Sequence, residues 1–289
     1  MMLLVWVWLS DSWQLPEAII SVQTMVQVED RLFLYDAVNR SLFALDKSGE
    51  IVAANDQRGL GPHEFQDIGC LKYFRDRLWA CDPIKRSIFQ LDRNLKVTHE
   101  EKYPFLPRDV LWVENRQWVV GFDPRNGRMV QVYDEVGHWQ FALGLGLEDV
   151  RLVGSQAGWL VSTRDSVFFV HLGLNSLQSF GLGGDSGATY RVPGLPDEPF
   201  LSFESFSTTQ FSAYQMAGAF LQGSCLVLRL KEFPEPRRFI VWFYKFDFTS
   251  HRFLKRRQLN QTVLWDQFQH VYVLERDDQD RIHLVPIQI

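Results

Sequence analysis

The sequence predicts an all-β protein, a six-bladed β-propeller made of four-stranded antiparallel blades. Three observations lead to this prediction: a repeat of 41 to 46 residues, short apolar runs separated by turn residues, and no long stretch with helical periodicity. Four short strands in every 40 to 50 residues are typical of a propeller blade, and 289 residues divided by about 46 give six blades. We therefore expect residues 1–289 to form a single domain.

The repeat is clearest in two segments that lie 46 residues apart, 31–46 and 77–92, which are identical at eight of sixteen positions without a gap. Each has an apolar run rich in β-branched or aromatic residues, a turn, and a second alternating run. The turn begins at Asp36 in one segment and at Asp82 in the other. Aspartate side chains favour such turns, so we expect both to cap their own turns rather than bind a metal.

Three further copies of the repeat are weaker. Residues 118–134 contain Asp123, which we expect to cap its turn in the same way. Residues 159–170 align with Asp165 in that role, and residues 271–285 contain another copy. The segment from Met1 to Leu9 is apolar but too short to cross a bilayer, and nothing else in the sequence is long enough. We interpret it as a strand that closes the ring beside Arg281–Ile289, or else as a clipped leader, and we expect a soluble chain without a membrane span.

Composition restricts the partners and the covalent chemistry. The net charge is −5 and the isoelectric point about 5.8, which argues against nucleic acid as a partner. The 10 Trp, 8 Tyr and 23 Phe suit packing between blades. Three cysteines are too few for a disulfide scaffold. Cys70 and Cys81 could pair if neighbouring strands bring them together; the alternative is two buried thiols.

Two regions depart from the period. Residues 190–215 contain prolines at positions 193, 196 and 199, which prevent a regular strand and predict either a functional loop or a packed excursion. Residues 231–238 look like an extended hairpin loop, forming either a solvated charged rim or a basic patch. The patch would also include the following residues: Arg252, Lys255, Arg256 and Arg257.

Residues 58–65 read R-G-L-G-P-H-E-F and follow one copy of the repeat. This resembles the G-x-G-P-G-E-F signature of the bacterial six-bladed β-propeller family related to NHL repeats, although His63 stands where that family commonly has glycine. The resemblance is strong over residues 26–145, and degraded glycine-rich links recur at 143–148 and 181–185. It implies a bacterial propeller. Because members are frequently exported, it also suggests a periplasmic or extracellular location.

The link 58–65 and the turn after Asp36 should lie on one face of the ring, the face that in propellers commonly carries ligands. We therefore predict a binding site on this face, with the central channel as the other place for a ligand. The predicted site residues are Asn39, Arg40, Arg58, His63, Glu64, Lys85 and Arg86.

No catalytic motif is present: the sequence lacks a G-x-S-x-G elbow, a P-loop, H-E-x-x-H and C-x-x-C. We therefore predict no catalytic residues, no metal ligands and no cofactor, although the spacing of the acidic turn 277–280 faintly resembles a calcium loop. The predicted function is a non-catalytic, monomeric binding or scaffold propeller that recognises a protein, peptide or glycan. The alternative, by analogy of fold alone, is a metal-dependent hydrolase of lactonase or esterase type with a central divalent ion.

Overall fold

The computed structural model describes residues 12–144, 158–195, 214–235, 238–259, 262–266, 270–279 and 281–287. Within these ranges there is no helix, and 24 strands form six four-stranded antiparallel sheets, the blades of a propeller. No helix in this part of the chain is long and apolar enough to cross a membrane. The predicted six-bladed all-β fold is confirmed.

The strands follow one another in blade order. The first strand, β1 (Trp13–Gln14), belongs to the last blade. Blade 1 contains β2 (Val22–Val28), β3 (Arg31–Asp36), β4 (Ser41–Asp46) and β5 (Ile51–Asn55). Blade 2 contains β6 (Cys70–Phe74), β7 (Arg77–Asp82), β8 (Ser87–Leu91) and β9 (Val97–Lys102). Blade 3 contains β10 (Asp109–Val113), β11 (Arg116–Asp123), β12 (Arg128–Tyr133) and β13 (Trp139–Leu143).

The remaining three blades have the same plan. Blade 4 contains β14 (Gly158–Ser162), β15 (Ser166–His171), β16 (Ser176–Gly181) and β17 (Ser186–Arg191). Blade 5 contains β18 (Tyr214–Gln222), β19 (Cys225–Glu235), β20 (Arg238–Asp247) and β21 (Arg252–Gln258). Blade 6 contains β22 (Thr262–Trp265), β23 (Val271–Arg276) and β24 (Ile282–Pro286), and its fourth strand is β1.

An N-terminal strand closes the ring, as predicted. β1 pairs with β24 in the register Trp13↔Leu284, and the amide of Leu15 donates to the carbonyl of Ile282 at 2.8 Å. The closing residues are therefore Trp13–Gln14, and the predicted segment Met1–Leu9 lies outside the described residues. Joining the two ends of the chain in one sheet gives the last blade its fourth strand.

Apolar side chains between adjacent blades form the core, because each blade has two apolar faces that only its neighbours can cover. Trp118 of blade 3 is fully buried. Its ring packs edge-on against Phe141 of the same blade, at 6.2 Å between centroids, and lies 6.5 Å from the ring of Phe180 in blade 4. Phe168 and Phe246 join blades 4 and 5 at 6.3 Å. The high aromatic content is thus used in blade-to-blade packing.

The aspartates of the repeat cap their turns, as predicted. Asp36 accepts hydrogen bonds from the amides of Val38 at 2.8 Å and, with its other oxygen, Ile20 at 2.6 Å. Asp82 accepts from Lys85 at 2.9 Å and Gln66 at 2.6 Å. Each carboxylate therefore joins the turn between the second and third strands of its blade to the link that enters that blade. Asp123 accepts from the amide of Arg125 at 2.9 Å.

The alignment of the fourth copy was wrong. Residues 158–162 form the innermost strand β14, so Asp165 lies in the turn between the first and second strands. The position equivalent to Asp123 is His171, the last residue of β15, whose Nδ1 accepts the amide of Gly173 at 3.0 Å. The first and second strands of a blade are both short apolar runs. Because a histidine stands in the capping position here, the sequence did not show which of the two strands the run 158–162 forms.

The hairpin in blade 5 also differs from its prediction. Residues 231–235 are not a loop but continue β19, with Glu232↔Ile240 and Glu235↔Arg238 paired across to β20. The register shifts between Glu232 and Glu235, and Pro234 falls within this irregular stretch, where a missing amide donor is tolerated. Of the proline-containing region 190–215, residues 196–213 lie outside the described residues, and a turn begins at Pro193.

Candidate functional site: the central cavity

Six innermost strands, one from each blade, surround the axis of the ring: β2, β6, β10, β14, β18 and β22. Three polar side chains join neighbouring members of this set. Thr24 accepts the amide of Leu71 at 3.2 Å, and Asp109 accepts the amide of Leu160 at 2.8 Å. Asp266, directly after β22, accepts the amide of Gln27 at 2.8 Å. These bonds hold the inner wall of the channel in register.

The channel contains a cavity of about 230 Å³, called here the central cavity. Its lining includes Lys72, Asp109, Trp159, Arg229, Trp265 and Asp266. A smaller cavity of about 60 Å³ shares Lys72, Trp265 and Asp266 with it. Charged and aromatic side chains therefore gather at the axis of a fold whose strands are otherwise mostly apolar.

Lys72 and Asp109 form an ion pair between β6 and β10, the second and third of these strands. The Lys72 Nζ lies 3.3 Å from an Asp109 carboxylate oxygen, and Asp109 is almost fully buried. Burial by itself would lower the pKa of Lys72, but the attraction of Asp109 outweighs it and the pKa lies above its usual value. Lys72 is consequently charged at neutral pH, and the carboxylate of Asp109 is its partner.

Asp266 is paired with His270. The ring Nδ1 lies 2.8 Å from the carboxylate, and the amide of His270 donates to the other carboxylate oxygen at 3.0 Å. The hydrogen bond to Asp266 raises the pKa of His270 despite partial burial. When the imidazole is protonated, the charge of Asp266 is balanced within the protein.

Arg229 differs from these two pairs. Its Nη1 donates only a long hydrogen bond to the carbonyl of Val263, at 3.5 Å, and its Cζ lies 5.8 Å from the centroid of Trp265. Among the described residues, the buried Nε has no hydrogen-bond partner and Arg229 makes no ion pair. Burial lowers the pKa of the guanidinium, which nonetheless stays charged because the ordinary pKa of an arginine lies far above neutral pH.

A glycine makes this placement possible. Gly218 of β18 is the register partner of Arg229 on β19. The ring of Trp265 lies directly against Gly218, where a Cβ atom would overlap it. The ring therefore packs against the backbone of blade 5, below the guanidinium of Arg229.

The predicted surface site lies on the face formed by the blade-to-blade links and the turns between second and third strands, called here the link face. Arg40, Arg58, His63 and Arg86 are exposed on it. Gly69 and Cys70, at the start of β6 and directly after the first link, line the central cavity. The link face and the cavity are therefore adjacent.

Two of the predicted residues, Lys85 and Glu64, contact the backbone of the glycine-rich link. Lys85 is 3% exposed, and its Nζ donates to the carbonyls of Gly61 at 2.9 Å and Glu64 at 2.6 Å and pairs with Glu100 at 3.2 Å. Glu64 accepts the amide of Gly61 at 2.8 Å. These contacts fix the glycine-rich link on blade 2. On blade 1, the side-chain amide of Asn39 donates to the carbonyl of Ala18 at 2.7 Å and so holds the segment that precedes β2.

Sequence reasoning did not identify the residues of the cavity. Lys72 lies at the centre of the strand C-L-K-Y-F, and a lysine in the middle of an otherwise apolar run was the available signal. Among the described residues, no group of three His, Cys, Asp or Glu side chains is arranged to hold a metal ion. The acidic turn is described only in part, because residue 280 lies outside the described residues; Asp277 there binds Arg281 and His283.

Comparisons with known proteins agree with the fold. Residues 17–134 match a family model described as a 6-bladed beta-propeller. A Bacteroides fragilis protein named as exported superposes with a TM-score of 0.66 at 12% identity, over 96% of this chain and 94% of that one. A catalytically inactive virginiamycin B lyase of Staphylococcus aureus, with quinupristin, superposes with a TM-score of 0.59 at 10% identity, over 96% and 99%. No curated protein matches the sequence significantly.

Proposed function

We propose that the protein is a non-catalytic binding propeller whose central cavity takes a carboxylate of a peptide or protein partner. The observation that carries this proposal is the charge of Arg229, which no described residue balances. Lys72 is matched by Asp109, and Asp266 by His270. When His270 is protonated, one cation is therefore left over in the cavity.

A carboxylate is the group that best satisfies this site. A charge held away from water is costly unless it is paired, and the buried Nε of Arg229 is an unused donor. A guanidinium binds planar oxyanions through two parallel hydrogen bonds, which a neutral ligand cannot reproduce with equal strength. Trp159 and Trp265 supply flat apolar surface beside it.

The size of the cavity suits the insertion of a single carboxylate-bearing group of a larger partner. Pockets that enclose a drug-sized molecule have volumes of about 300–1,000 Å³, whereas this cavity measures about 230 Å³. One acidic side chain or a C-terminal carboxylate fits, and the remainder of the partner would lie on the link face. Exposed Arg40, Arg58 and Arg86 offer further cations there to an acidic partner.

The proposed location is periplasmic or extracellular. It is supported by the name of the Bacteroides fragilis structure, which is that of an exported protein. It is also supported by residues 58–65, which resemble the signature of a family whose members are frequently exported. Fractionation of the native cells, followed by immunoblotting, tests it. Recovery of the protein in the cytoplasmic fraction alone would rule this location out.

The binding proposal is tested with random pentapeptide pools lacking Asp and Glu, which carry either a free C-terminal carboxylate or a carboxamide. The free acid should raise the melting temperature of the wild type and the amide should not. Arg229→Gln should abolish the shift. Arg116→Gln is the matched control, because Arg116 also donates to a carbonyl of the next blade, at 2.8 Å, and lies 5.7 Å from an aromatic ring, yet does not line the cavity.

Three results would overturn this proposal. The first is an equal shift with the acid and the amide. The second is binding on a glycan array that Arg229→Gln leaves unchanged, since that favours a neutral sugar ligand. The third is turnover of lactone or ester substrates by purified protein containing a stoichiometric divalent ion.

A further inference from the structure

Cys70 and Cys81 lie directly opposite each other at the link-face end of blade 2. They are register partners on β6 and β7, and their Sγ atoms are 2.9 Å apart, closer than two sulfur atoms in ordinary van der Waals contact. Both are free thiols. The antiparallel register brings together two residues that are eleven positions apart in the chain.

We propose that Cys70 and Cys81 form a reversible disulfide in the wall of the central cavity. Opposite residues of antiparallel strands have Cα atoms about 4.5 to 5.5 Å apart. A disulfide spans Cα separations of about 4.4 to 6.8 Å. The Cα separation expected for register partners therefore lies within the range that a disulfide spans, and the Sγ atoms already face each other at 2.9 Å.

The two thiols have different roles because their surroundings differ. Cys70 is 8% exposed and lines the cavity, whereas Cys81 is fully buried. Burial and the neighbouring Cys70 raise the pKa of the Cys81 thiol well above its usual value. Lys72 is near enough to attract negative charge on either sulfur. A reagent entering the cavity therefore meets Cys70 first, and Cys81 completes the reaction.

The oxidant is a small-molecule disulfide. The Cys70 thiolate attacks one sulfur of that molecule, forming a mixed disulfide and releasing the first thiolate. The Cys81 thiolate then attacks the sulfur of Cys70, forming the internal disulfide and releasing the second thiolate. The two protein thiols lose two electrons and two protons in total, the external disulfide gains two electrons, and the protons leave on the two released thiols.

The packing keeps Cys81 in position for the second step. It lies in a buried cluster with Trp79, Ile88, Tyr103 and Tyr133. Cys225, by contrast, is half-buried and is the first residue of β19. It directly follows the turn between the first and second strands of blade 5, on the face opposite the link face. It provides a thiol of the same chain that should not pair.

The test treats the folded protein with excess oxidised glutathione, blocks remaining thiols by alkylation, and digests without reduction. Trypsin should release residues 59–72 and 78–85 as one linked species. One thiol, that of Cys225, should be alkylated, and dithiothreitol should restore all three. The oxidised protein should also melt at a higher temperature than the reduced protein.

Single-cysteine variants test the order of attack. Cys81→Ser should stop at a glutathione adduct on Cys70, and Cys70→Ser should give no adduct on Cys81. Cys225→Ser should behave as the wild type and serves as the control if either of the other variants fails to fold. Three alkylated thiols in wild-type protein after oxidation, a stable glutathione adduct on Cys70, or a linkage to Cys225 would overturn the proposal.

Discussion

Replacing Lys85 by methionine removes the charge that ties the glycine-rich link to blade 2. The side chain is 3% exposed, donates to two carbonyl groups of the link, and lies 3.2 Å from a carboxylate oxygen of Glu100. Removing one partner of a buried ion pair costs about 3–5 kcal/mol, because it leaves the other charge without compensation. We expect this substitution to destabilise the protein mainly through Glu100.

The remaining partners of Glu100 place the cost at the lower end of that range. Its carboxylate still accepts the hydroxyl of Ser87 at 2.9 Å and the amide of His63 at 3.3 Å. Burial opposes its ionisation, but hydrogen bonds from Ser87, His63 and Lys85 outweigh it and hold the pKa of Glu100 below its usual value. The expected loss for Lys85→Met is therefore about 3 kcal/mol in the free energy of unfolding.

Urea unfolding followed by tryptophan fluorescence measures this loss. Lys47→Met is the matched control, because Lys47 is exposed in a turn of blade 1 and its replacement should change stability by less than about 0.5 kcal/mol. A double-mutant cycle with Glu100→Gln should show that the two losses are not additive. If Lys85→Met costs no more than Lys47→Met, then Lys85 is a surface residue after all and the reasoning is wrong.

Three further predictions concern the inner wall of the ring. The hydrogen bond to Asp266 raises the pKa of His270 above its unfolded-state value of 6.5, so the stabilisation from this bond should be complete below pH 6.5 and be lost as the pH rises through the higher folded-state pKa. The melting temperature of the wild type should fall over this pH range, and an equal fall in His270→Gln would contradict the prediction. Gly218→Ala forces a methyl group into the ring of Trp265 and should cost about 1–3 kcal/mol in urea unfolding, and an unchanged midpoint would contradict the packing. Arg229→Gln removes an unpaired buried cation, so the ligand-free protein should be as stable as the wild type or more so; a loss above about 2 kcal/mol in the same assay would show that Arg229 has a partner within the fold.

The fold could be predicted because the physical needs of each blade recur in the sequence. The eight identities between residues 31–46 and 77–92 include the turn aspartates, and these bind both their own turn and the incoming link. In blade 4 the turn is capped by His171, where a ring nitrogen replaces the carboxylate. The repeat is therefore not recognisable in the sequence of blade 4, although the order and pairing of its strands are the same as in the other blades.

The cavity could not be predicted in the same way, because its residues come from different blades and different strand positions. Arg229 lies on a second strand, and it lines the cavity beside Trp265, whose ring packs on Gly218. No spacing between these residues in the sequence predicts that blades 5 and 6 contact each other at this point. The site residues predicted around the link motif stay a prediction. Two of them contact the backbone of the link: Glu64 accepts the amide of Gly61, and Lys85, in the turn between β7 and β8, donates to the carbonyl of Gly61.

The most direct test of the carboxylate site is isothermal titration calorimetry with one peptide selected from the free-acid pool. We expect the wild type and Arg116→Gln to bind it with equal affinity. Arg229→Gln should bind about 10- to 100-fold more weakly, since a hydrogen bond to a charged group contributes about 1.5–3 kcal/mol. The amidated form of the peptide should weaken binding to the wild type by a similar factor. Equal affinity of wild type and Arg229→Gln for the free acid would contradict the proposed function.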